Sequence, residues 1–177
     1  MRRLVNKLRV TFFFALAVSG FAQNNSVVRW HQMAGVITAP AVDNPVGGTT
    51  DAAGNKINQI HSGAGPWTAR SGSAHINLVS GEGSFDVEGL VLNGGSSTGT
   101  PGAVNSIVGT LVCNAGAANQ AILDTPATGL SPTGDAELSF RLNVPAGCTN
   151  PLFLIRVPAG KWIATATVRT TGDVSTY

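Results

Sequence analysis

The amino-acid sequence predicts an all-β fold: a single-domain antiparallel β-sandwich of Ig-like or jelly-roll-like type, preceded by a signal-peptide helix that is cleaved. Three observations predict it. No apolar stripe with a 3.6-residue period runs for three turns, and Gly or Pro interrupts most long windows. Short stretches of apolar–polar alternation recur instead, separated by clusters of Gly, Pro, Ser and Asp. The composition, 43% apolar and only 11% charged, suits an exported β-rich domain with a neutral, hydroxyl-bearing surface rather than a disordered chain.

Residues 1–22 carry the layout of a secretory leader. Arg2, Arg3, Lys7 and Arg9 precede an apolar run over residues 10–18, and Gly20-Phe21-Ala22 supplies a small–x–small cleavage site. The run is too short to cross a bilayer, and none later is longer. Cleavage after Ala22 is expected to leave a β-sandwich domain over residues 23–177, beginning at Gln23 and without a transmembrane segment.

Within that domain, residues 27–37 form a first, weakly patterned strand. Residues 38–66 are rich in Pro, Gly, Asn and Asp and are expected to be a long loop or poorly ordered lead-in, with 57–61 a weak strand candidate inside it. Ala74-His75-Ile76-Asn77-Leu78 alternates, turns at Ser80-Gly81-Glu82-Gly83, and continues as Phe85-Asp86-Val87-Glu88. Strands 73–79 and 84–92 are therefore a predicted hairpin. The pattern slips at Gly89 before Leu90-Val91-Leu92, as it does at a β-bulge. Residues 106–113 and 151–157 are nearly continuous in apolar residues, which predicts central strands. Residues 119–123 and 161–169 are further candidates. The clearest strand is 136–144, apolar at every even position and polar at every odd one, stopped by Pro145 and Gly147.

Cys113 and Cys148 are the only two cysteines. An even pair in an oxidising compartment, without C-x-x-C spacing or a neighbouring His, predicts a structural disulfide. Four of the eleven basic residues fall in the leader and all nine acids beyond it, so the mature chain carries a net charge of −2. The remaining Lys and Arg are scattered singly. No positive field is left to steer a polyanion, and no nucleic-acid partner is expected.

The segments Gly63-Ala64-Gly65-Pro66-Trp67, Phe85-Asp86-Val87-Glu88-Gly89-Leu90-Val91-Leu92, Cys113, Gly134-Asp135-Ala136-Glu137 and Cys148, in this order, resemble a pattern of small secreted bacterial proteins of unknown function. The pattern covers roughly the last two-thirds of the mature chain. The resemblance implies an exported, disulfide-bearing β-domain and attaches no activity to it.

Candidate chemistry is sparse. His31, His61 and His75 are the only histidines and would make a metal centre, or the base of a hydrolase, if three strands brought them together. Against this, the chain has no His-x-His within a strand. Gly95-Ser96-Ser97-Thr98-Gly99 matches G-x-S-x-G in form, but Thr100-Pro101-Gly102 follows where a nucleophile elbow needs a helix. Asp86 and Glu88 share one strand face, as a glycosidase pair could, and equally as solvated acids do. Asp43, Asn44, Asp51 and Asn55 bracket a carbonyl-rich loop that a hard cation could use, yet no EF-hand run is present. Trp67 and Trp162 are candidates for stacking a sugar ring from loops, against the usual role of Trp in sealing a small core.

These readings converge on an exported, non-enzymatic module that needs no cofactor and acts through a surface. The partner is left open between an envelope protein and a polysaccharide. Its place is outside the cell, in the periplasm or at the envelope. The two competing readings are an extracytoplasmic metalloprotein or hydrolase built on the three His, and a glycan-binding module built on loop Trp.

Overall fold

The computed structural model describes residues 27–39, 42–63 and 65–172. The expected leader, residues 1–22, lies outside them. Among the described residues the chain forms β1 (Val27–Gly35), β2 (Val46–Thr50), β3 (Lys56–Ile60), β4 (Trp67–Thr68), β5 (Ser71–Asn77), β6 (Glu82–Glu88) and β7 (Val91–Leu92). These are followed by β8 (Ser106–Cys113), β9 (Ala121–Asp124), β10 (Thr128–Gly129), β11 (Ala136–Arg141), β12 (Leu152–Arg156) and β13 (Trp162–Thr171). The fold is all-β, as the alternation predicts.

One antiparallel sheet runs β10-β8-β12-β13-β1-β5-β6-β11, with β9 paired to the other half of the β8 edge. The sheet curls until its halves face each other, which makes the sandwich. β10 comes to lie beside β11, where the Thr128 hydroxyl donates to the Glu137 carbonyl at 3.3 Å. Alternation sets which side chains enter. In β6, Phe85 and Val87 are buried while Asp86 and Glu88 are exposed; in β11, Phe140 is buried between exposed Ser139 and Arg141. β8 and β12 are almost wholly buried, as their continuous apolar sequence requires, although they lie second and third from one end of the sheet rather than at its centre.

The core centres on Phe153, whose ring lies 5.7 Å from Trp30, 5.7 Å from Phe85 and 6.1 Å from Phe140. Those residues come from β12, β1, β6 and β11, so the two halves meet on this cluster. Aromatic pairs at such separations add about 1 kcal/mol each beyond burial. Gly109 of β8 sits beneath it, because a Cβ there would come within 2.8 Å of both Phe153 and Phe85.

Cys113, at the end of β8, is bonded to Cys148 across 35 residues, with Cα atoms 5.0 Å apart. β12 follows Cys148 and pairs with β8, Leu152 opposite Val112. The bridge therefore pins the lead-in to β12 to its neighbour. Such a bond persists in an oxidising compartment. No helix among the described residues is long and apolar enough to cross a membrane.

Two expectations are corrected. Residues 38–66 are not a long loop: they contain the β2–β3 hairpin, Val46 opposite Ile60 and Thr50 opposite Lys56. Its turn is built by Asp51, whose carboxylate accepts the N–H groups of Ala53 and Asn55 at 2.9 and 2.8 Å. Gly47 and Gly48, at φ of 69° and 99°, break the alternation that would reveal the strand. Gly89 is not a bulge within one strand either. With φ of 60° it turns the chain out of the main sheet, and β7 pairs instead with β4, Trp67 opposite Leu92.

Candidate functional site

The groove with the most chemistry lies between the β2–β3 hairpin, β9 and the β12–β13 turn, and encloses about 370 Å³. It originates in a backbone contact between distant segments. Residues 61–63 run parallel to 161–163: Ser62 bridges Trp162, the Trp162 N–H donates to the His61 carbonyl at 2.9 Å, and the Gly63 N–H donates to the Trp162 carbonyl at 2.8 Å. Alternation then turns Ser62 and Trp162 inward and leaves His61 and Lys161 exposed side by side.

Asp43 backs this pair. One carboxylate oxygen bonds His61 Nδ1. The other accepts the Ser62 N–H at 3.0 Å and the Ser62 hydroxyl at 3.4 Å. The hydrogen bond from His61 holds the Asp43 carboxyl below the usual carboxylate range, with smaller help from the Ser62 N–H and the charge of Lys161. The Asn44 carbonyl accepts Trp162 Nε1–H at 2.7 Å, which fixes the loop against the core.

Arg156 forms the far side. Its Nε donates to the Gly160 carbonyl at 3.0 Å and its Nη1 to Asp124 Oδ1 at 2.8 Å, with the side chain only 16% exposed. Gln120 holds the hairpin wall in place. Its Oε1 accepts the Gly48 and Gly116 N–H groups, both at 2.8 Å, and its Nε2 donates to the Asn58 carbonyl at 3.0 Å. The lining thus joins charged side chains to the amide of Gln59 and to an apolar floor of Ile60 and Ile122.

No protein-family model matches the chain, and no curated protein or solved structure is significantly similar to it. The geometry alone therefore carries the functional argument.

The three histidines have separate surroundings. Exposed His31 on β1 bonds the Thr170 hydroxyl at 2.8 Å, His61 bonds Asp43, and half-buried His75 on β5 bonds the Ser84 hydroxyl at 3.2 Å. Among the described residues no three His, Cys, Asp or Glu side chains are grouped as a metal ion requires. Burial, and secondarily the charge of Arg29, hold His75 below its ordinary pKa. Ser84 lies between β5 and β11 and is paired with both, so its backbone is engaged in the sheet and forms no oxyanion hole.

The tryptophans are corrected from loop positions to core positions. Trp67 is 5% and Trp162 8% exposed. Trp67 N–H donates to the Val36 carbonyl at 2.8 Å, and Gly35 packs directly on its backbone. Neither ring offers a face to a sugar. The Gly95–Gly99 segment is a run of turns, with the Thr98 hydroxyl donating to the Gly95 carbonyl at 2.7 Å, and no elbow forms. Asp86 and Glu88 accept from Ser73 and Ser71 across the ladder, Glu88 also from Arg70 at 3.3 Å. Asp51 is engaged in its own turn and Asp43 with His61, so they do not form one cation site.

Sequence reading singled out His61 and Asp43, for different chemistry, and missed Lys161, Arg156 and Gln59. The only local hint was the Pro158-Ala159-Gly160 turn, which delivers Lys161 to the start of a strand. The pairing of residue 61 with residue 161 leaves no periodic trace.

Proposed function

We propose that this chain is an exported β-sandwich module, acting at the cell envelope or outside the cell, that works through its surface and carries out no chemistry of its own. The observation that carries this is the state of its acids. Asp51 caps its own turn, Glu88 accepts from Ser71 and Arg70 across the ladder, and Asp135 accepts from Gly89, Ser131 and Thr133. Carboxylates spent on holding turns and strands in place are structural groups rather than acids presented to a substrate. The disulfide adds support for an extracytoplasmic home, and the leader-like residues 1–22 for export. The partner is an envelope protein or a polysaccharide.

The test is native mass spectrometry of protein recovered from an exporting host, with and without reductant. The expected species begins at Gln23, gains the mass of two hydrogens on reduction, and leaves a panel of ester, peptide and glycan substrates intact. A bound transition metal lost on mild acid, or turnover abolished by His61→Gln, would overturn the proposal.

A further inference from the structure

The groove beside His61 is unequal in what it offers. Among the described residues, Lys161 Nζ has neither a hydrogen bond nor an ion pair, and Arg156 Nη2 has none beyond those of its Nε and Nη1. Both residues line the groove, as does Gln59. The two carboxylates that balance the local charge do not. Asp43 has both oxygens engaged by His61 and Ser62, and Asp124 Oδ1 accepts from Thr110 at 2.7 Å and from Arg156. The lining itself therefore presents cationic and amide groups and no carboxylate.

Such a lining selects a ligand rich in acceptors. An ammonium group or a basic peptide would find no carboxylate in the lining. A sugar carboxylate would find Lys161 and Arg156, and charge-assisted hydrogen bonds to such a group are the strong ones. The rest of the lining suits the same ligand. The Gln59 amide can donate and accept, as vicinal hydroxyls require. His61, with Nδ1 turned to Asp43, keeps its second ring nitrogen for a hydroxyl. Ile60 and Ile122 give a sugar ring's C–H face an apolar floor. The groove is open to solvent and, at about 370 Å³, has room for one sugar ring, so a polymer can lie across it with one residue seated.

We propose that this groove is a subsite for one uronic-acid residue of an acidic polysaccharide, with Lys161 and Arg156 holding the carboxylate and Gln59 and His61 the ring hydroxyls. This rests on the surface-binding reading above and names the partner for it.

The test is calorimetric titration of the disulfide-intact protein at low salt with tetragalacturonate, alongside galactotetraose, the neutral oligomer of the same length. Lys161→Gln is the groove variant, and Lys56→Gln, an exposed lysine outside the lining, is the control. The expected result is binding of the acidic oligomer only, weakened about tenfold or more by Lys161→Gln and unchanged by Lys56→Gln. Equal binding of the neutral oligomer, an equal loss in both variants, or no binding of tetragalacturonate would each overturn the subsite. The sugar recovered after titration is weighed by mass spectrometry. Its cleavage, lost in His61→Gln, would overturn the non-catalytic reading while leaving the groove as the site.

Discussion

Asp135 accepts the backbone N–H of Gly89 through Oδ1 at 2.9 Å, across 46 residues of sequence. The contact belongs to a larger joint. The Leu90 N–H donates to the Gly134 carbonyl at 2.8 Å, and Trp67 pairs with Leu92. The Trp67, Gly89–Leu92 and Gly134–Asp135 segments that stand out in the sequence are thus one continuous structural seam where β6 leaves the main sheet.

Gly134 is the part of that seam least open to change. Its φ is 83°, and a Cβ would lie 2.5 Å from the Leu90 backbone N and O. Gly134→Ala combines a left-handed penalty with a clash against backbone, which cannot rotate away as a side chain can. A loss of about 3 kcal/mol or more is expected, read as a lower urea midpoint with an unchanged slope. Gly54, whose φ is 87° with nothing within 4 Å, is the comparison site and should lose only about 1–2 kcal/mol on the same substitution.

Gly109→Ala tests the core. The added methyl would meet the Phe85 and Phe153 rings at 2.8 Å. These rings can shift, though only by disturbing the aromatic cluster. The expected cost is about 1–3 kcal/mol in denaturant, with altered near-ultraviolet circular dichroism.

Removing the bridge with Cys113→Ala and Cys148→Ala frees a loop of 35 residues in the unfolded chain. The chain-entropy model puts its contribution at about 4 kcal/mol. The double variant should unfold at the same urea concentration as the reduced native chain. A variant as stable as the oxidised protein would show that the bridge constrains little.

Stability should fall in two stages on acidification. Asp43, Asp51, Glu88 and Asp135 titrate below the usual carboxylate range, led respectively by hydrogen bonds from His61, Asn55, Ser71 and Thr133. His75 titrates below its ordinary 6.5, chiefly through burial. Each binds its proton more tightly in the unfolded chain, so each adds stability as pH rises through its titration. The His75 contribution is complete above 6.5 and declines below it. The carboxylate contributions are complete above the usual carboxylate range and are lost as pH falls through the lower folded values. His75→Gln should flatten the first decline in urea midpoint against pH and leave the second.

Where structure is local and regular, the sequence reveals it. The even-position apolar residues of 136–144 became β11 and its extension, and the apolar run 106–113 became β8, a buried strand next to the end of the main sheet. The cysteine pair formed. Two failures share a cause. Gly47, Gly48 and Gly89 carry no side chain to mark a face, so a hairpin resembled a loop and a departure resembled a bulge. The candidate site was less visible still. His61 meets Lys161 through a bridge between segments a hundred positions apart, and no periodicity encodes such a neighbour. The tryptophans misled because turn sequences flank them, while their rings seal the core beneath those turns.

The first and last described strands lie side by side: β1 joins β13 from Val28 opposite Thr171 to Gly35 opposite Ala164. That ladder alone links the β5-β6-β11 half of the main sheet to the β12-β8 half. A chain synthesised N-terminus first can form its early hairpin at once but cannot close the sandwich. The N-terminal strand must wait for nearly all the rest to arrive. Long-range closure of this kind folds slowly, so the two halves of the main sheet join last.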